Sequence, residues 1–459
     1  MVYGTDTIVA RATAPGEGAI AIIRISGPDT FSIIGRCFQC AGKKDVKYNY
    51  LTYGHLIDPE DGCIIDDIFC VLFKKPHSYT GEDSGELHCH GGPAITSLAL
   101  DMLCRLGARM AEPGEFTKWA FLNGKMDLAR AEAICQLIRS QTDKAARIAS
   151  LQLQGGLSSK INSVKDIIIT IAAEIEARLD FPEQDLGNND NSLFLNLYDS
   201  ALENLQSLIR QGMNARVYTQ GVRVVILGKP NTGKSSLFNA LLKIERAIVT
   251  PHPGTTRDTI ECTVDLMGCP ITYVDTAGIR KTGNEVEILG MERTKREISR
   301  ADLNILLIDR SSPLDEDDWH ISQLLSGNSF ILVLNKIDLP MALNEKELEP
   351  IGRNAAAQVM TSAVTGEGID ILESRLWGIL VSGEISTEDA LVTNERHLAL
   401  LRKCSESLLH ARGEFLKKTP EEFLMVDIRE SLHSLSQITG EETSEEILDT
   451  IFKRFCIGK

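Results

Sequence analysis

The stretch Val222-Arg-Val-Val-Ile-Leu-Gly-Lys-Pro-Asn-Thr-Gly-Lys-Ser-Ser236 decides the fold of the middle of this chain. Its first six residues predict a buried strand, and the apolar pattern after Ser236 predicts a helix. Between them lies Gly228-Lys-Pro-Asn-Thr-Gly-Lys-Ser235, the GxxxxGK[ST] phosphate-binding loop in its required strand–loop–helix context. The glycines let backbone amides wrap phosphate oxygens, Lys234 can reach the β- and γ-phosphates, and Ser235 can ligate Mg²⁺. The sequence therefore predicts a nucleotide-binding site here.

Three further motifs follow in chain order, each directly after a predicted strand: Asp275-Thr-Ala-Gly278, Asn335-Lys-Ile-Asp338 and Ser362-Ala363. An aspartate at a strand end can hold the Mg²⁺ shell, and a glycine amide can sense the γ-phosphate. The Asp338 carboxylate can accept two hydrogen bonds from guanine but would oppose the N1 acceptor of adenine. The ordered set resembles the Ras-like GTPase superfamily. The resemblance implies GTP binding by Asn231, Thr232, Gly233, Lys234, Ser235, Ser236, Thr250, Thr255, Thr256, Asp275, Thr276, Ala277, Gly278, Asn335, Lys336, Asp338, Ser362 and Ala363.

The catalytic apparatus departs from the usual Ras-like pattern. Where such enzymes often carry a water-orienting glutamine, this chain has Ile279, which cannot polarise water. The segment Thr250-Pro-His-Pro-Gly-Thr-Thr-Arg-Asp258 stands in the place of switch I, and its Thr256 is expected to join Ser235 as a Mg²⁺ ligand. Together with Asn231, this segment resembles the potassium-activated branch, in which K⁺ supplies positive charge to the transition state. That resemblance implies K⁺ ligation by the Asn231 side chain and by backbone oxygens around Thr250, His252 and Thr255, with His252 replacing a usually apolar residue.

Composition narrows the class of protein. The chain has 459 residues, of which 43% are apolar, and length alone suggests roughly three domains. No apolar run approaches the ~18 residues of a membrane span and no secretory leader is visible, so we expect a soluble, cytoplasmic protein without membrane association. An odd number of cysteines, 11, spread along the chain favours reduced thiols. A net charge of −16 repels phosphate backbones, so a nucleic acid must meet a local basic patch or a partner protein.

Two short Cys/His motifs resemble metal ligands only weakly. Cys37-Phe-Gln-Cys40 has no second pair at zinc spacing. In His88-Cys89-His90, adjacent side chains of a strand point to opposite faces. Ordinary buried thiols are therefore favoured over a metal or redox site.

The regions on either side of the nucleotide motifs differ in pattern. Residues 1–120 mix short apolar runs with Gly/Pro/Asp turns, which predicts an α+β domain. Before and after the α/β stretch, apolar residues recur at three- and four-residue spacing, which predicts two helical regions that pack together around an inserted α/β unit. Thr419-Pro-Glu-Glu422 and Thr443-Ser-Glu-Glu446 predict capping boxes at two helix starts.

Segments spread over the whole chain resemble the MnmE (TrmE) family of tRNA modification GTPases. They include Gly18–Gly27, Ser78–Asp83, Glu86–Gly92, Phe121–Lys125 and the terminal Phe455-Cys-Ile-Gly-Lys459. The resemblance implies an N-terminal α+β folate-binding domain that mediates homodimerisation and an all-α domain formed from two chain segments, with a Ras-like G domain inserted. The implied boundaries are 1–120 for the first domain, 121–216 and 381–459 for the helical domain, and 217–380 for the G domain.

The family resemblance also implies a reaction. Such proteins act with the FAD-dependent partner MnmG (GidA), in a heterotetramer, to install an aminomethyl or carboxymethylaminomethyl group at C5 of the wobble uridine of certain tRNAs. GTP hydrolysis with Mg²⁺ and K⁺ drives the process, and a 5-formyl- or methylene-tetrahydrofolate supplies the one-carbon unit. The implied water-orienting acid is Glu287, and the implied folate contacts are Arg24, Glu86, Lys125 and Lys459.

Several of these assignments keep an alternative. Without the resemblance, Glu287 is a solvated charge in switch II, and Glu86 and Lys125 are ordinary surface residues. Cys456 is either a nucleophile or carrier for the one-carbon unit, or a small apolar residue packed under the tail. Arg24, one charge in an apolar strand, suits the glutamate tail of folate but equally suits a buried structural ion pair.

Two other functions compete with the implied one. An RNA-binding assembly GTPase of the Era or EngA type should carry a basic KH-like module after the G domain, where this chain is helical and acidic. A folate-dependent one-carbon transferase with a regulatory G domain would modify tRNA without MnmG.

Overall fold

The computed structural model describes residues 6–42, 46–180, 191–244, 247–248, 260–275, 292, 294–381 and 391–459. Within these ranges the chain forms two compact units. The first unit takes in 1–138, 152–198 and 406–459, and the second takes in 139–151 and 199–405. Each contains one seven-stranded sheet. The predicted domain boundaries stay predictions.

The strands are β1 (Ile8–Arg11), β2 (Ile20–Ser26), β3 (Phe38–Cys40), β4 (Thr52–Ile57), β5 (Ile64–Phe73), β6 (Ser84–His90), β7 (Arg109–Met110), β8 (Val222–Leu227), β9 (Ala247–Ile248), β10 (Ile260–Leu266), β11 (Cys269–Asp275), β12 (Leu303–Asp309), β13 (Phe330–Asn335) and β14 (Ala357–Thr361). The helices are α1 (Thr30–Cys37), α2 (Pro93–Arg105), α3 (Glu115–Leu122), α4 (Leu128–Arg139), α5 (Asp143–Leu153), α6 (Gly156–Asp180), α7 (Asn191–Gln220), α8 (Lys234–Ile244), α9 (294–300), α10 (Glu316–Leu324), α11 (Glu345–Gly352), α12 (Ile369–Leu380), α13 (Glu395–Leu416), α14 (Glu421–Thr439) and α15 (Glu445–Phe452).

The sheet of the first unit has the strand order β3-β4-β5-β6-β2-β1-β7. Neighbouring strands run antiparallel except for the parallel pair β1 and β7. The buried Ile23 and Ile25 pack in one core with residues of α1 and α2. Because successive strand side chains point to opposite faces, Arg24 lies on the other face of the sheet. The predicted α+β fold is confirmed, and the same alternation buries Cys89 between the more exposed His88 and His90.

The two helical regions of the chain pack against each other in the first unit, as predicted. Apolar side chains of α6, including Ile161, Ile168 and Ile175, are buried where α6 runs along α14. At one end of this pair the Arg178 guanidinium lies 4.8 Å from the ring centre of Phe194.

Both predicted capping boxes are wrong. The N-cap of α14 is Pro420, and no side chain caps this helix. The Thr419 hydroxyl instead donates to Glu414 Oε2 at 2.6 Å. A hydrogen bond to a carboxylate is stronger than a neutral one, so it holds the Thr419 side chain away from the helix terminus. Ser444 is the N-cap of α15, but its side chain also makes no cap bond.

The sheet of the second unit has the order β14-β13-β12-β8-β11-β10-β9. The first five strands are parallel, which confirms the predicted βα alternation. At the other edge, β10 is antiparallel to both β11 and β9, whereas the alternation of strands and helices predicts parallel strands throughout. The turn between β10 and β11 is Met267-Gly268, with φ of 52° and 87°. A two-residue connection leaves no room for a crossover helix, so it forces a hairpin.

None of the helices in the described part of the chain combines the length and apolar character that crossing a bilayer requires.

Candidate functional site

The phosphate-binding loop joins β8 to α8 at the carboxyl edge of the second sheet. Two glycines allow its tight course. A Cβ on Gly233, whose φ is 98°, would lie 2.4 Å from Asn335 Nδ2. A Cβ on Gly228 would lie 2.4 Å from the carbonyl oxygen of Leu307. Both positions are therefore closed to any larger residue by the neighbouring strands β12 and β13. Asn231 lies exposed in the loop in the left-handed region, with φ of 64°.

The loop is held closed by its own polar groups. The Lys234 ammonium, on a largely buried residue, donates to the carbonyl oxygens of Gly228 at 2.9 Å and Lys229 at 2.7 Å. The Thr232 hydroxyl donates to the same Lys229 oxygen at 2.9 Å. These bonds place the lysine charge inside the ring of loop amides, where a phosphate anion is favoured.

Ser235 and Asp275 meet although they come from different motifs. The Ser235 hydroxyl donates to Asp275 Oδ2 at 3.1 Å, at the end of β11. Asp275 is 2% exposed, and Ser236, the next residue of α8, is exposed. A hydroxyl and a carboxylate are hard oxygen donors of the kind that Mg²⁺ prefers, either directly or through its water shell. The donor set therefore fits the predicted magnesium site.

Asn335 joins the phosphate loop to the last strand of the sheet. Its Nδ2 donates to the carbonyl oxygen of Thr232 at 2.8 Å. Its Oδ1 accepts from the backbone N–H of Ala363 at 3.0 Å and from the Thr361 hydroxyl at 3.3 Å. The side chain is buried and satisfied at both ends, so it fixes three loops relative to one another.

The remaining predicted base-binding residues lie beside Asn335. The Ser362 hydroxyl donates to Asp338 Oδ1 at 2.6 Å, which orients the carboxylate that is expected to read guanine. Lys336 has a φ of 66°, a backbone conformation that residues other than glycine rarely adopt. Its ammonium donates to Asp309 Oδ2 at 2.6 Å.

Eight predicted site residues lie outside the described residues: Thr250, His252, Thr255, Thr256, Thr276, Ala277, Gly278 and Glu287. The other predicted nucleotide residues come together from four separate parts of the sequence.

A second cluster lies on the other face of the first sheet, which also packs against α3. Arg24 donates from Nε at 3.0 Å and from Nη2 at 2.9 Å to Glu86 Oε1. His88 Nε2 lies 3.3 Å from the other oxygen, Oε2. The hydrogen bond with His88, aided by Arg24, outweighs burial and holds the pKa of Glu86 below its ordinary value. A cavity of about 220 Å³ opens here, lined by Arg24, Phe73, His77, Ser78, Tyr79, Thr80, Ser84 and Glu86.

The C-terminal tail reaches this cluster. Arg24 Nη1 donates to the carbonyl oxygen of Gly458 at 3.5 Å. Gly458 has a φ of 90°, and a Cβ there would lie 2.3 Å from the carbonyl oxygen of Arg11. Burial, followed by repulsion from Arg24, lowers the pKa of Lys459 from its ordinary value of 10.5. The tail is therefore seated closely enough to bring three of the four predicted folate residues into one place.

Lys125 and Cys456 lie beside this cluster. The Lys125 ammonium donates to the carbonyl oxygen of Pro76 at 2.9 Å, in the loop that also supplies one side of the cavity. Cys456 is exposed, whereas the neighbouring Phe455 is buried. The alternative in which Cys456 packs under the tail is therefore wrong, because its side chain is exposed.

Some residues that shape the two clusters were not predicted from the sequence. The rings of Tyr79 and Phe116 lie 5.2 Å and 5.8 Å from the Arg24 guanidinium carbon. Asp309, which holds Lys336, carries a weak signal as an acid at the end of a fully buried strand. Tyr79 belongs to a segment that resembles the family, but nothing in the local pattern of Tyr79 or Phe116 points to Arg24.

Comparison with known proteins covers nearly the whole chain. Two family models match: the N-terminus of the GTP-binding protein TrmE over residues 7–125, and the MnmE helical domain over 128–456. The tRNA modification GTPase MnmE of Thermoanaerobacter pseudethanolicus is 42% identical over 99% of each chain. This chain belongs to the MnmE family. The MnmE relative from Carboxydothermus hydrogenoformans is 41% identical, again over 99% of each chain.

A solved structure matches a smaller part. The G domain of the T. maritima FeoB iron transporter is 27% identical over 34% of this chain and 97% of that chain, with a TM-score of 0.26. Membership of the MnmE family therefore rests on the full-length relatives and on the two family models.

Proposed function

We propose that this chain hydrolyses GTP to drive modification of C5 of the wobble uridine in tRNA, together with an FAD-dependent partner of the MnmG (GidA) type. The coarser statement, that the chain is a GTP hydrolase that acts in tRNA modification, follows from its membership of the MnmE family. The observation that carries the proposal is the junction at Asn335, which ties a phosphate loop to a guanine-type recognition loop.

The proposed GTP site uses both halves of that junction. The loop amides and Lys234 bind the phosphates, because they form an anion cradle at the N-terminus of α8. Asp338, oriented by Ser362, accepts the two donors of guanine and rejects adenine, which offers an acceptor in the same place. The predicted residues that lie outside the described ranges complete the site in this proposal.

Two metal ions belong to the proposed site. Ser235 and Thr256 would hold Mg²⁺, and the buried carboxylate beside Ser235 supports that choice. Asn231 and backbone oxygens around Thr250, His252 and Thr255 would hold K⁺. When bound, these cations supply positive charge against the negative charge on the transferring phosphate. Ile279 has no polar group with which to orient the attacking water, and the family resemblance assigns that role to Glu287.

The proposed folate site is the cavity beside Arg24. The Arg24 guanidinium and the neighbouring Lys459 ammonium can pair with the carboxylates of a folate tail. The Glu86 carboxylate can accept from the N–H donors of a pterin ring. Lys125 would contribute from the adjoining loop. A tetrahydrofolate derivative, 5-formyl- or methylene-, would bring the one-carbon unit, and the exposed Cys456 is available as nucleophile or carrier.

The proposed assembly is a homodimer that binds MnmG as a heterotetramer, in the cytoplasm, with tRNA bound through the complex. An exposed aromatic pair supports dimerisation. Tyr53 and Phe69 are 46% and 45% exposed, and their ring centres lie 5.5 Å apart. Such exposed apolar surface on a sheet face is typical of interaction sites.

The test compares hydrolysis in K⁺ and Na⁺ for the unmodified chain and for Asn231→Gly. Glycine adopts the same positive φ, so this variant removes the amide side chain with little strain on the loop. We expect faster turnover in K⁺ than in Na⁺, and the loss of that difference in Asn231→Gly. Equal turnover of the unmodified chain in the two salts would contradict the potassium role.

Two further measurements separate the other parts of the proposal. Glu287→Ala should keep GTP affinity and lose turnover, and an unchanged kcat would contradict the assignment. Removal of the last four residues should abolish wobble-uridine modification, detected by mass spectrometry of tRNA, while GTP hydrolysis persists. Modification by this chain without any MnmG would favour the one-carbon transferase instead.

A further inference from the structure

A short acidic segment contacts two lysines in the loops of the proposed nucleotide site. It runs from the end of β12 to the first turn of α10, residues 309–318, and we call it the acidic brace. Its first member, Asp309, uses both oxygens: Oδ2 accepts from Lys336 Nζ at 2.6 Å, and Oδ1 accepts from the backbone N–H and hydroxyl of Ser311 at 2.8 Å and 2.6 Å. The two hydrogen bonds from Ser311 therefore fix the orientation of the Asp309 carboxylate toward Lys336.

The other end of the brace holds the phosphate loop. Asp315 and Asp318 form a capping box at the start of α10. Lys229 Nζ, from the phosphate loop, donates to Asp315 Oδ2 at 2.8 Å and to Asp318 Oδ2 at 2.7 Å. The Asp318 side chain is 2% exposed. The helix cap and the lysine therefore share the same two carboxylates.

The backbone carbonyl of Lys229 helps to keep the phosphate loop closed. Its carbonyl oxygen accepts from both Lys234 Nζ and the Thr232 hydroxyl, the two bonds that keep the phosphate loop closed. An anchor on the Lys229 side chain therefore limits where this carbonyl can lie. At the opposite end, the backbone N–H of Arg310 donates to the carbonyl oxygen of Asn335 at 3.0 Å, next to Lys336.

We propose that Asp309, Asp315 and Asp318 are positioning residues for the nucleotide. They hold Lys336 and Lys229, so that one rigid segment sets the distance between the phosphate loop and the base-recognition loop. The brace acts on binding and not on the chemical step, because none of its carboxylates belongs to a proposed phosphate or water contact.

Stability alone does not account for this arrangement. The buried pair of Lys229 and Asp318 contributes little net stability compared with apolar residues of the same shape, because both charges lose their hydration. The pair of Lys229 with the exposed Asp315 is a surface ion pair, which also adds little. Three carboxylates directed to two lysines of one site instead define a geometry. A preorganised site lowers the ordering cost of binding, which appears as affinity.

The experiment measures fluorescent GDP and IDP affinity and GTP turnover for Asp309→Asn, Asp318→Asn, Lys229→Met and Lys229→Arg. Asp317→Asn is the matched control, because Asp317 is an exposed acid in the same turn of α10. We expect the first three variants to weaken GDP binding about tenfold, equivalent to ~1.4 kcal/mol. Turnover at saturating GTP should stay within about twofold, and Lys229→Arg should bind as the control does.

A second readout separates positioning from general destabilisation. IDP lacks the 2-amino group of GDP, and in the proposed site Asp338, not Lys336, contacts that group. Asp309→Asn should therefore weaken the binding of GDP and of IDP by the same factor. Asp338→Asn should instead reduce the preference for GDP over IDP. The melting temperature of the nucleotide-free protein identifies any variant that merely unfolds, and Lys229→Met tests the brace without altering a buried acid.

The inference rests on the proposed nucleotide site, so Lys234→Ala serves as the reference. If Lys234→Ala binds GDP normally, the site and the inference fall together. If Lys234→Ala loses GDP while Asp309→Asn, Asp318→Asn and Lys229→Met bind as tightly as Asp317→Asn, the inference alone is overturned.

Discussion

The two clusters of this molecule are assembled from very different distances along the chain. In the second unit, Thr232 and Asn335 are 103 positions apart, but each lies inside a compact motif at the end of its own strand. In the first unit, Arg24 contacts Gly458, which is 434 positions away, and neither residue stands in a recognisable phosphate- or metal-type motif.

The difference teaches where local pattern is informative. Parallel strands of an α/β sheet end at one edge, so motifs at strand ends are brought together by the fold class itself. The cluster on the first sheet has no such rule behind it. It requires the last residues of the chain to dock on the second strand, and a close approach at Gly458 is what permits this.

The largest effect is expected from Gly233→Ala. The new methyl would displace Asn335 Nδ2, which would otherwise lie only 2.4 Å from the added Cβ, and the backbone would be strained at its positive φ. Left-handed strain of ~1–2 kcal/mol and a broken buried hydrogen bond of ~1–3 kcal/mol predict about a hundredfold loss of GDP affinity. Titration with fluorescent GDP measures it. The matched control is Gly327→Ala, which has a φ of 83° but open space around it; an equal loss there would refute the role of the Asn335 contact.

A smaller loss is expected from Gly458→Ala in the first unit. The methyl would meet the carbonyl oxygen of Arg11 and lift the tail from Arg24. We expect about a tenfold loss of 5-formyl-tetrahydrofolate affinity, roughly one disrupted polar contact to a charged group, with GTP turnover unchanged. Calorimetric titration measures the affinity, and Gly62→Ala, with a φ of 73° and no near neighbour, is the control. Should the two variants bind folate alike, the seated tail is not part of that site.

Acid should weaken the cluster formed by Arg24, Glu86 and His88. The pKa of Glu86 is lowered by the hydrogen bond with His88 and by Arg24, against the opposing effect of burial. A carboxyl with a lowered folded pKa stabilises the fold above its ordinary value of 4.5, and this contribution is lost as the pH falls through the lowered value.

The free energy of unfolding is measured by urea denaturation from pH 7 to pH 3. At pH 7 this free energy should be about 1 kcal/mol larger for the unmodified chain than for Glu86→Gln, and the difference should disappear in acid. The exposed Glu17→Gln is the control. A gap that is constant over this range would show that the Glu86 charge does not stabilise the cluster.

The smallest effects concern helix starts. Asn344 caps α11 by accepting from the backbone N–H of Lys346 at 3.1 Å, whereas Ser444 makes no cap bond at α15. Asn344→Ala should therefore cost about 1 kcal/mol and Ser444→Ala only a few tenths of a kcal/mol. Thermal unfolding of the two variants compares them, and equal losses would mean that Ser444 caps its helix in solution.

Local sequence predicted the helices and strands better than it predicted helix caps and the pairing of edge strands. The alternation of apolar strands with helical stretches predicted a parallel sheet, and β8, β12 and β13 are indeed parallel neighbours in it. The β10–β11 hairpin was missed because Met267-Gly268 lacks the usual Asn-Gly signal. The cap at α14 failed because Glu414, outside the four-residue motif, takes the Thr419 hydroxyl.

The amino-acid sequence by itself identified the nucleotide motifs. Phosphate loops and base-recognition loops need particular residues at fixed short spacings, and such spacings can be recognised without knowledge of the tertiary structure. The tertiary structure alone decided which charges meet: Arg24 with Glu86 and the tail, and the acidic brace with Lys229 and Lys336. A charged side chain can pair with any opposite charge within a few ångströms. Which partner comes within that distance depends on how strands from distant parts of the chain are ordered in the sheet.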